Sequence, residues 1–333
     1  MKLASAITQG HWFVAATSKA VTRRPLRVMM LGAPLLLARD RDDVLFALED
    51  RCPHRGAALS QGRLESHGVV CPYHGWAFAS DGRCTRMPGA PEGRPLSEVR
   101  VPHFFTQERD GLVWVSKLGG RPLPDRVLAL PARRRFLWQS TWAAPVLETQ
   151  ENFLDALHTH SIHRGVLRSQ RVRHPVTVAL HSVGDGFQVD YRGQPTQSGL
   201  FFKLFESKRV SERAYFSGLG VAQLEYCYAS GWTAWVTLYF TPQDEESTRI
   251  FGTLHVEGRF APTWLIRCSV WPFMKRVARQ DQAILEHQRE QAGRFPARQP
   301  VTTPMDVVRP FLEAAWSGRE PPDEGAVERT LDL

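Results

Sequence analysis

The chain has 333 residues, of which 43% are hydrophobic and 23% charged. That length holds about two domains with sizeable cores, and the balance excludes a disordered or fibrous protein. Lys and Arg outnumber Asp and Glu by 42 to 34, but the excess is spread out and densest at Arg133-Arg134-Arg135, which argues against nucleic acid and is compatible with an acidic electron-transfer partner.

The opening MKLASAITQGHWFVAA lacks the charged, apolar and cleavage-site succession of a signal peptide, so none is expected. Leu26 to Ala38 is broken by Gly32 and Pro34 and is too short to cross a bilayer, which gives the expectation of a cytoplasmic chain with no membrane partner. Leu35–Ala38 and Val44–Ala47 flank a polar turn, Arg39 to Asp43, and Gly111–Val115 reads as a later strand. A small β domain over residues 1–118 is predicted, closed by the breaker Gly119-Gly120-Arg121-Pro122-Leu123-Pro124.

Within that domain stand two short knots, Cys52-Pro53-His54 and Cys71-Pro72-Tyr73-His74, with sixteen residues between them. The five cysteines are an odd number, and without a sign of export a disulfide framework is not expected; Cys52 and Cys71 are more naturally metal thiolates, and Cys84, Cys227 and Cys268 buried free thiols. Two cysteines and two histidines can hold a structural zinc. They can also hold a Rieske-type [2Fe–2S] cluster, with two thiolates on one iron and two imidazoles on the other, which raises the reduction potential. Gly56, Gly62 and Gly75 permit tight loops, and Pro53 and Pro72 stiffen them. His67 is expected to be a solvated loop residue.

Beyond the breaker, residues 119–333 read as an α+β domain, a sheet with helices against one side. A helix is predicted over Val146 to His163 and another over Phe273 to Glu290, with strands at Val176–Leu180, Val221–Tyr228, Trp232–Phe240 and Ile250–Val256. The first helix carries Glu151, Asp155, His158, His160 and His163. On a continuous helix Asp155 and His158 share a face with Glu151, and a carboxylate beside an imidazole can fix its tautomer. A solvated polar face is the plain alternative, against which stand the interleaved Phe153, Leu154, Leu157 and Ile162. Asp281 falls on the stripe Val277, Asp281, Ile284, Leu285, Gln288. A carboxylate on an otherwise apolar stripe is costly unless paired, for instance with Arg279, or metal-bound. Two histidines and one carboxylate can hold a non-heme iron with open positions for O2.

CPHRG and CPYHGWAF, with their spacing, resemble the Rieske domain of Rieske non-heme iron oxygenases, and Asn152-x2-Asp155-x2-His158-x4-His163 resembles the iron-binding helix of their α subunits. The resemblance implies an N-terminal all-β Rieske domain followed by a helix-grip-like catalytic domain. It implies a [2Fe–2S] cluster held by Cys52, His54, Cys71 and His74, and a mononuclear Fe(II) held by His158, His163 and Asp281. Asp155 corresponds to the family's bridging aspartate, and His160 has no counterpart. A terminal oxygenase is implied, taking electrons that originate in NAD(P)H from a ferredoxin or flavin reductase, with O2 as co-substrate and a homotrimer as its assembly. Similarity to the shorter members favours hydroxylation or oxidative demethylation of a small aromatic or polycyclic substrate. Cis-dihydroxylation and a pure electron carrier are the alternatives. Phe201, Phe202, Trp232 and Trp235 are candidate pocket residues.

Overall fold

The computed structural model describes residues 10–65, 68–91, 96–131, 133–163, 166–167, 173–193, 209–257, 262–298, 300–322 and 327–332. The chain divides into two units, residues 2–121 and 122–333. In the first unit the described strands are, in chain order, β1 (Phe13–Thr17), β2 (Leu26–Met30), β3 (Ala33–Arg39), β4 (Leu45–Glu49), β5 (Arg63–Glu65), β6 (Gly68–Val70), β7 (Ala77–Ala79), β8 (Cys84–Arg86), β9 (His103–Arg109) and β10 (Leu112–Ser116).

Among the described residues these strands make a six-stranded sheet ordered β1-β10-β9-β4-β3-β2 and a four-stranded sheet ordered β5-β6-β7-β8. Every pairing is antiparallel, so short loops suffice to connect neighbours. Leu36, Leu48, Leu59, Val69 and Phe78 are buried together with Cys52 and Cys71. The apolar core therefore reaches directly under the two cysteines, and burial of its side chains supplies the driving force that holds their loops in place.

Among the described residues the second unit is an eight-stranded antiparallel sheet with helices packed against it. Its strands are β11 (Arg134–Trp142), β12 (Pro175–Val183), β13 (Gly186–Arg192), β14 (Arg209–Phe216), β15 (Val221–Tyr228), β16 (Thr233–Pro242), β17 (Thr248–Glu257) and β18 (Val327–Asp332), ordered β11-β17-β16-β15-β14-β13-β12-β18. Its helices are α1 (Asp125–Leu128), α2 (Val146–Leu154), α3 (Thr159–Ile162), α4 (Thr263–Arg294) and α5 (Arg309–Ser317). Helix α2 packs on β14, β15 and β16 and against α4 and α5. The Trp316 indole N–H donates to Gln150 Oε1 at 2.6 Å in the α2–α5 contact. Arg309 on α5 holds both Glu148 and Glu151, at 3.3 and 2.8 Å. Glu151 thus braces the helix pair.

Three expectations are corrected. The helix predicted over Val146 to His163 is broken: α2 ends at Leu154, Asp155 is extended with φ −87° and ψ 133°, and α3 starts at Thr159. The Asp155 carboxylate accepts the backbone N–H of Leu157 at 2.9 Å, and this local bond competes with helical pairing. The second helix begins at Thr263, ten residues before the predicted Phe273, and runs through Pro272. Proline removes one N–H and usually breaks a helix. Here Ile266, packed with Phe136, Leu254 and Val256, anchors the turns before the proline, and this tertiary burial outweighs the local cost. The apolar stripe around Asp281 is also narrower than predicted: Leu285 is buried, but Ile284 and Gln288 are exposed.

Strands β11 and β18 were not apparent from local pattern, because their partners β17 and β12 are distant in sequence. Strand β13, also passed over, pairs with the near strand β12, and polar β14, with Arg209, Ser211, Glu212 and Arg213, pairs with the near strand β15 but lacks a clear apolar alternation. Of the three remaining cysteines, only Cys84 is buried; Cys227 is half-buried and Cys268 exposed. Phe201, Phe202 and His67 lie outside the described residues. Among the described residues, no helix is long and apolar enough to cross a membrane.

Candidate functional site

In the first unit the two knots are near copies of each other. Cys52 N–H donates to Ala57 O at 2.8 Å and Gly56 N–H to Cys52 O at 2.9 Å; Cys71 N–H donates to Trp76 O at 2.8 Å and Gly75 N–H to Cys71 O at 3.2 Å. Each loop turns back at a glycine with positive φ, +76° at Gly56 and +72° at Gly75. A residue with a Cβ is strained in that region, so the glycines make the closure possible. The first loop is also tethered from below: buried Asp50 accepts Ser60 N–H and Ser60 O–H, each at 2.6 Å.

The donors are sorted by element. Cys52 and Cys71 are buried and His54 and His74 exposed, with the two imidazole centroids 4.6 Å apart. Burial pushes the Cys52 thiol up to about 11, and the neighbouring Cys71 adds to the rise. A buried thiolate pair is therefore costly without positive charge, which iron supplies. His54 is held below its ordinary value, first by lost hydration and then by the charges of His74 and Arg55; neutral imidazole is the metal-binding form. A sulfur pair beside an imidazole pair fits a two-iron cluster with one pair on each iron. The Trp76 ring lies parallel on His54 at 4.5 Å, so the second loop clamps the histidine of the first.

In the second unit the break at Asp155 shapes the other constellation. Tyr191 on β13 donates its hydroxyl to Leu154 O and so satisfies a carbonyl that the ended helix leaves without a partner. Burial pushes this hydroxyl well above its ordinary range, which keeps it a donor. The chain then folds back so that His158 and His163 meet with ring centroids 5.1 Å apart, edge to face. Asp281 Oδ1 from α4 lies 3.0 Å from His163 Nε2 and 3.6 Å from His158 Nε2. One ligand atom from each residue falls within 4.8 Å of the others.

Asp281 Oδ1 is buried without a hydrogen-bond partner, a costly state for a carboxylate oxygen that a cation would relieve. The side-chain nitrogens that approach it among the described residues are those of the two histidines, and no contact with Arg279 is among its close pairs. Asp155 Oδ2 stands 3.6 Å from His158 Nδ1, a proximity produced by the turn and not by a shared helical face. His160 is outside the converging group. Gln280, which the sequence reading passed over, places Oε1 3.1 Å from His163 Nδ1. An amide next to Asp281 was its only sequence signal, and that signal is not specific.

The triad opens on a cavity of about 830 Å³ between the helices and the sheet, lined by residues including Trp232, Val236, Leu238, Phe240, Leu254 and Trp271. Trp235 is corrected: strand alternation turns it away, and its indole N–H donates to Glu225 at 2.9 Å.

Residues 11–104 match the Rieske [2Fe-2S] domain, and residues 142–309 match the vanillate O-demethylase oxygenase C-terminal domain. The chain is 34% identical over 173 residues to the 3-chlorobenzoate-3,4-dioxygenase oxygenase subunit of Comamonas testosteroni, a match covering 49% of this chain and 39% of that protein. It is 32% identical over 172 residues to the methylxanthine N1-demethylase of Pseudomonas putida, covering 50% of this chain and 49% of that protein. The matched stretches thus span under half of each relative's length. The crystal structure of dicamba monooxygenase bound to dicamba superposes with a TM-score of 0.72 over 93% of this chain and 96% of that one, at 22% identity, a likeness of fold.

Proposed function

This chain belongs to the Rieske oxygenases with a vanillate O-demethylase-type C-terminal domain, and on that footing we propose that it is a terminal oxygenase that hydroxylates or oxidatively demethylates a small aromatic or polycyclic substrate. The observation that carries the reading is the convergence of His158, His163 and Asp281 beside a large apolar cavity. A pure electron carrier leaves that convergence without a use.

Cys52, Cys71, His54 and His74 would hold the [2Fe–2S] cluster, and His158, His163 and Asp281 the mononuclear iron. When bound, the cluster supplies one-electron transfer and the iron supplies O2 activation. Exposure of His54 and His74 gives an electron donor, a ferredoxin or flavin reductase, access to that end of the domain. The contact of His163 Nδ1 with the Gln280 amide oxygen makes Nδ1 the protonated nitrogen and leaves the Nε2 lone pair toward Asp281. Asp155 braces the turn that carries His158 and faces its Nδ1. The apolar walls exclude water and hold a flat substrate with one C–H bond toward the triad.

For a methyl ether or N-methyl substrate, insertion of one atom of O2 into a methyl C–H bond, the other atom leaving as water with two electrons from the donor and two protons, would give a hydroxymethyl group. Its C–O or C–N bond then breaks, releasing formaldehyde and the demethylated product. The vanillate O-demethylase-type domain and the demethylases among its relatives support this outcome over a cis-diol. The assembly would be a ring of three chains in the cytoplasm, a closed heterologous contact with no free end. Light scattering at the mass of one chain would refute the ring.

The test is anaerobic iron and sulfide reconstitution followed by EPR and metal analysis, then O2 uptake with a panel of methoxy- and N-methyl-aromatic compounds, a reductase and NADH. The expected result is a Rieske signal, about one further iron per chain and formaldehyde formed in step with O2 consumed. Stoichiometric zinc in a colourless protein would overturn it, and a cis-diol product would move it to the dioxygenases.

A further inference from the structure

Residues three apart on a strand point to opposite faces of a sheet, yet Arg209 and Glu212 of β14 both line the cavity. The cause is a β-bulge. Arg209 pairs with Tyr228 and Ser211 with Cys227, so two steps on β14 match one step on β15, and Glu212 then falls opposite Tyr226. A bulge of this kind re-aims a side chain. The result is an ion pair between Arg209 and Glu212, each side chain 11% exposed, with the guanidinium 4.6 Å over the Tyr226 ring.

This pair is electrically balanced. Apart from Asp155, Asp281 and the two histidines of the metal end, the other charged groups among the described lining residues are Lys275 and Arg279, both exposed on α4 and screened by solvent. A carboxylate brought to Arg209 would meet the negative charge of Glu212 in a poorly hydrated place, where like charges repel strongly. A neutral group that carries an acceptor and a donor side by side, such as an amide edge, meets one charge with each and leaves no net charge behind.

We propose that Arg209 and Glu212 are specificity-determining residues, set on one face by the β14 bulge, that select neutral amide-bearing or heteroaromatic substrates over aromatic carboxylates. The proposal rests on the cavity being the oxygenase's substrate site. The experiment is calorimetric titration of the iron- and cluster-loaded protein with 6-methoxy-2-naphthamide and 6-methoxy-2-naphthoate, two probes of nearly equal shape that differ in charge. The wild-type protein binds the amide about tenfold or more tighter, and Glu212→Gln, which uncovers the Arg209 charge at constant size, tightens the carboxylate by a similar factor of about ten. Equal binding of the two probes by the wild type, binding of neither, or an unchanged ratio in a folded Glu212→Gln protein overturns it. The wild-type ratio stands without the variant. Failure to assemble cluster and iron at all would instead sink the oxygenase reading, so the two failures are told apart by EPR before any probe is added.

Discussion

Gln280 hydrogen-bonds to His163: its Oε1 lies 3.1 Å from the ring Nδ1, while the next residue, Asp281, presents Oδ1 3.0 Å from Nε2 of the same ring. Two successive residues of α4 thus grip the two nitrogens of one buried imidazole. The amide fixes the tautomer, and the carboxylate shares the side on which a metal would bind.

Gln280→Ala should therefore weaken Fe(II) binding by about 10- to 100-fold, the usual effect of losing a partner behind a metal-bound histidine. Gln280→Glu, which keeps an acceptor at the same reach, should retain most of the affinity. Iron titration of the apo mononuclear site measures both, and wild-type affinity in the alanine variant would show that the contact does not position the ring.

Asp281→Ala should abolish mononuclear iron and turnover while the brown Rieske chromophore stays, because the two donor sets belong to separate units. The substitution removes a buried carboxylate oxygen that has no hydrogen-bond partner, so the fold should not lose stability, as it would on deletion of a satisfied buried group. Metal analysis, the visible spectrum and thermal unfolding read the three effects; turnover in an iron-free variant would remove Asp281 from the triad.

His74→Cys should lower the reduction potential and change the EPR signal, since a thiolate adds negative charge where a neutral imidazole stood. Spectroelectrochemistry tests it. A potential equal to wild type in a protein that still carries its cluster would show that His74 is not a ligand.

Asp155→Asn should leave both metals bound and slow oxidation of the reduced cluster. The amide can still accept Leu157 N–H, as the carboxylate does at 2.9 Å, so the turn is kept while the charge 3.6 Å from His158 Nδ1 is lost. Stopped-flow decay of the reduced chromophore gives the rate; a wild-type value would exclude Asp155 from the electron path.

Much of the first unit was legible in the sequence because its chemistry is local. Each knot closes on itself within six residues, from Cys52 to Ala57 and from Cys71 to Trp76, so residue types and turn glycines at short spacing report the loop geometry. The identity of His158, His163 and Asp281 as candidates also came from sequence, through resemblance for the most part. Their meeting did not, because it depends on a helix that stops at Leu154, a Tyr191 hydroxyl from β13 that satisfies its last turn, and an α4 that continues through Pro272. At the end of α2 the distant Tyr191, 37 residues from Leu154, adds to the local Asp155–Leu157 bond, and at Pro272 the packing of Ile266 on Phe136 outweighs the local preference. The Arg209–Glu212 pair also depends on pairing, here with the strand that follows next in the chain. A period-2 reading puts the two on opposite faces, and only the register of β14 against β15, a fact of pairing and not of composition, turns them into one cavity wall.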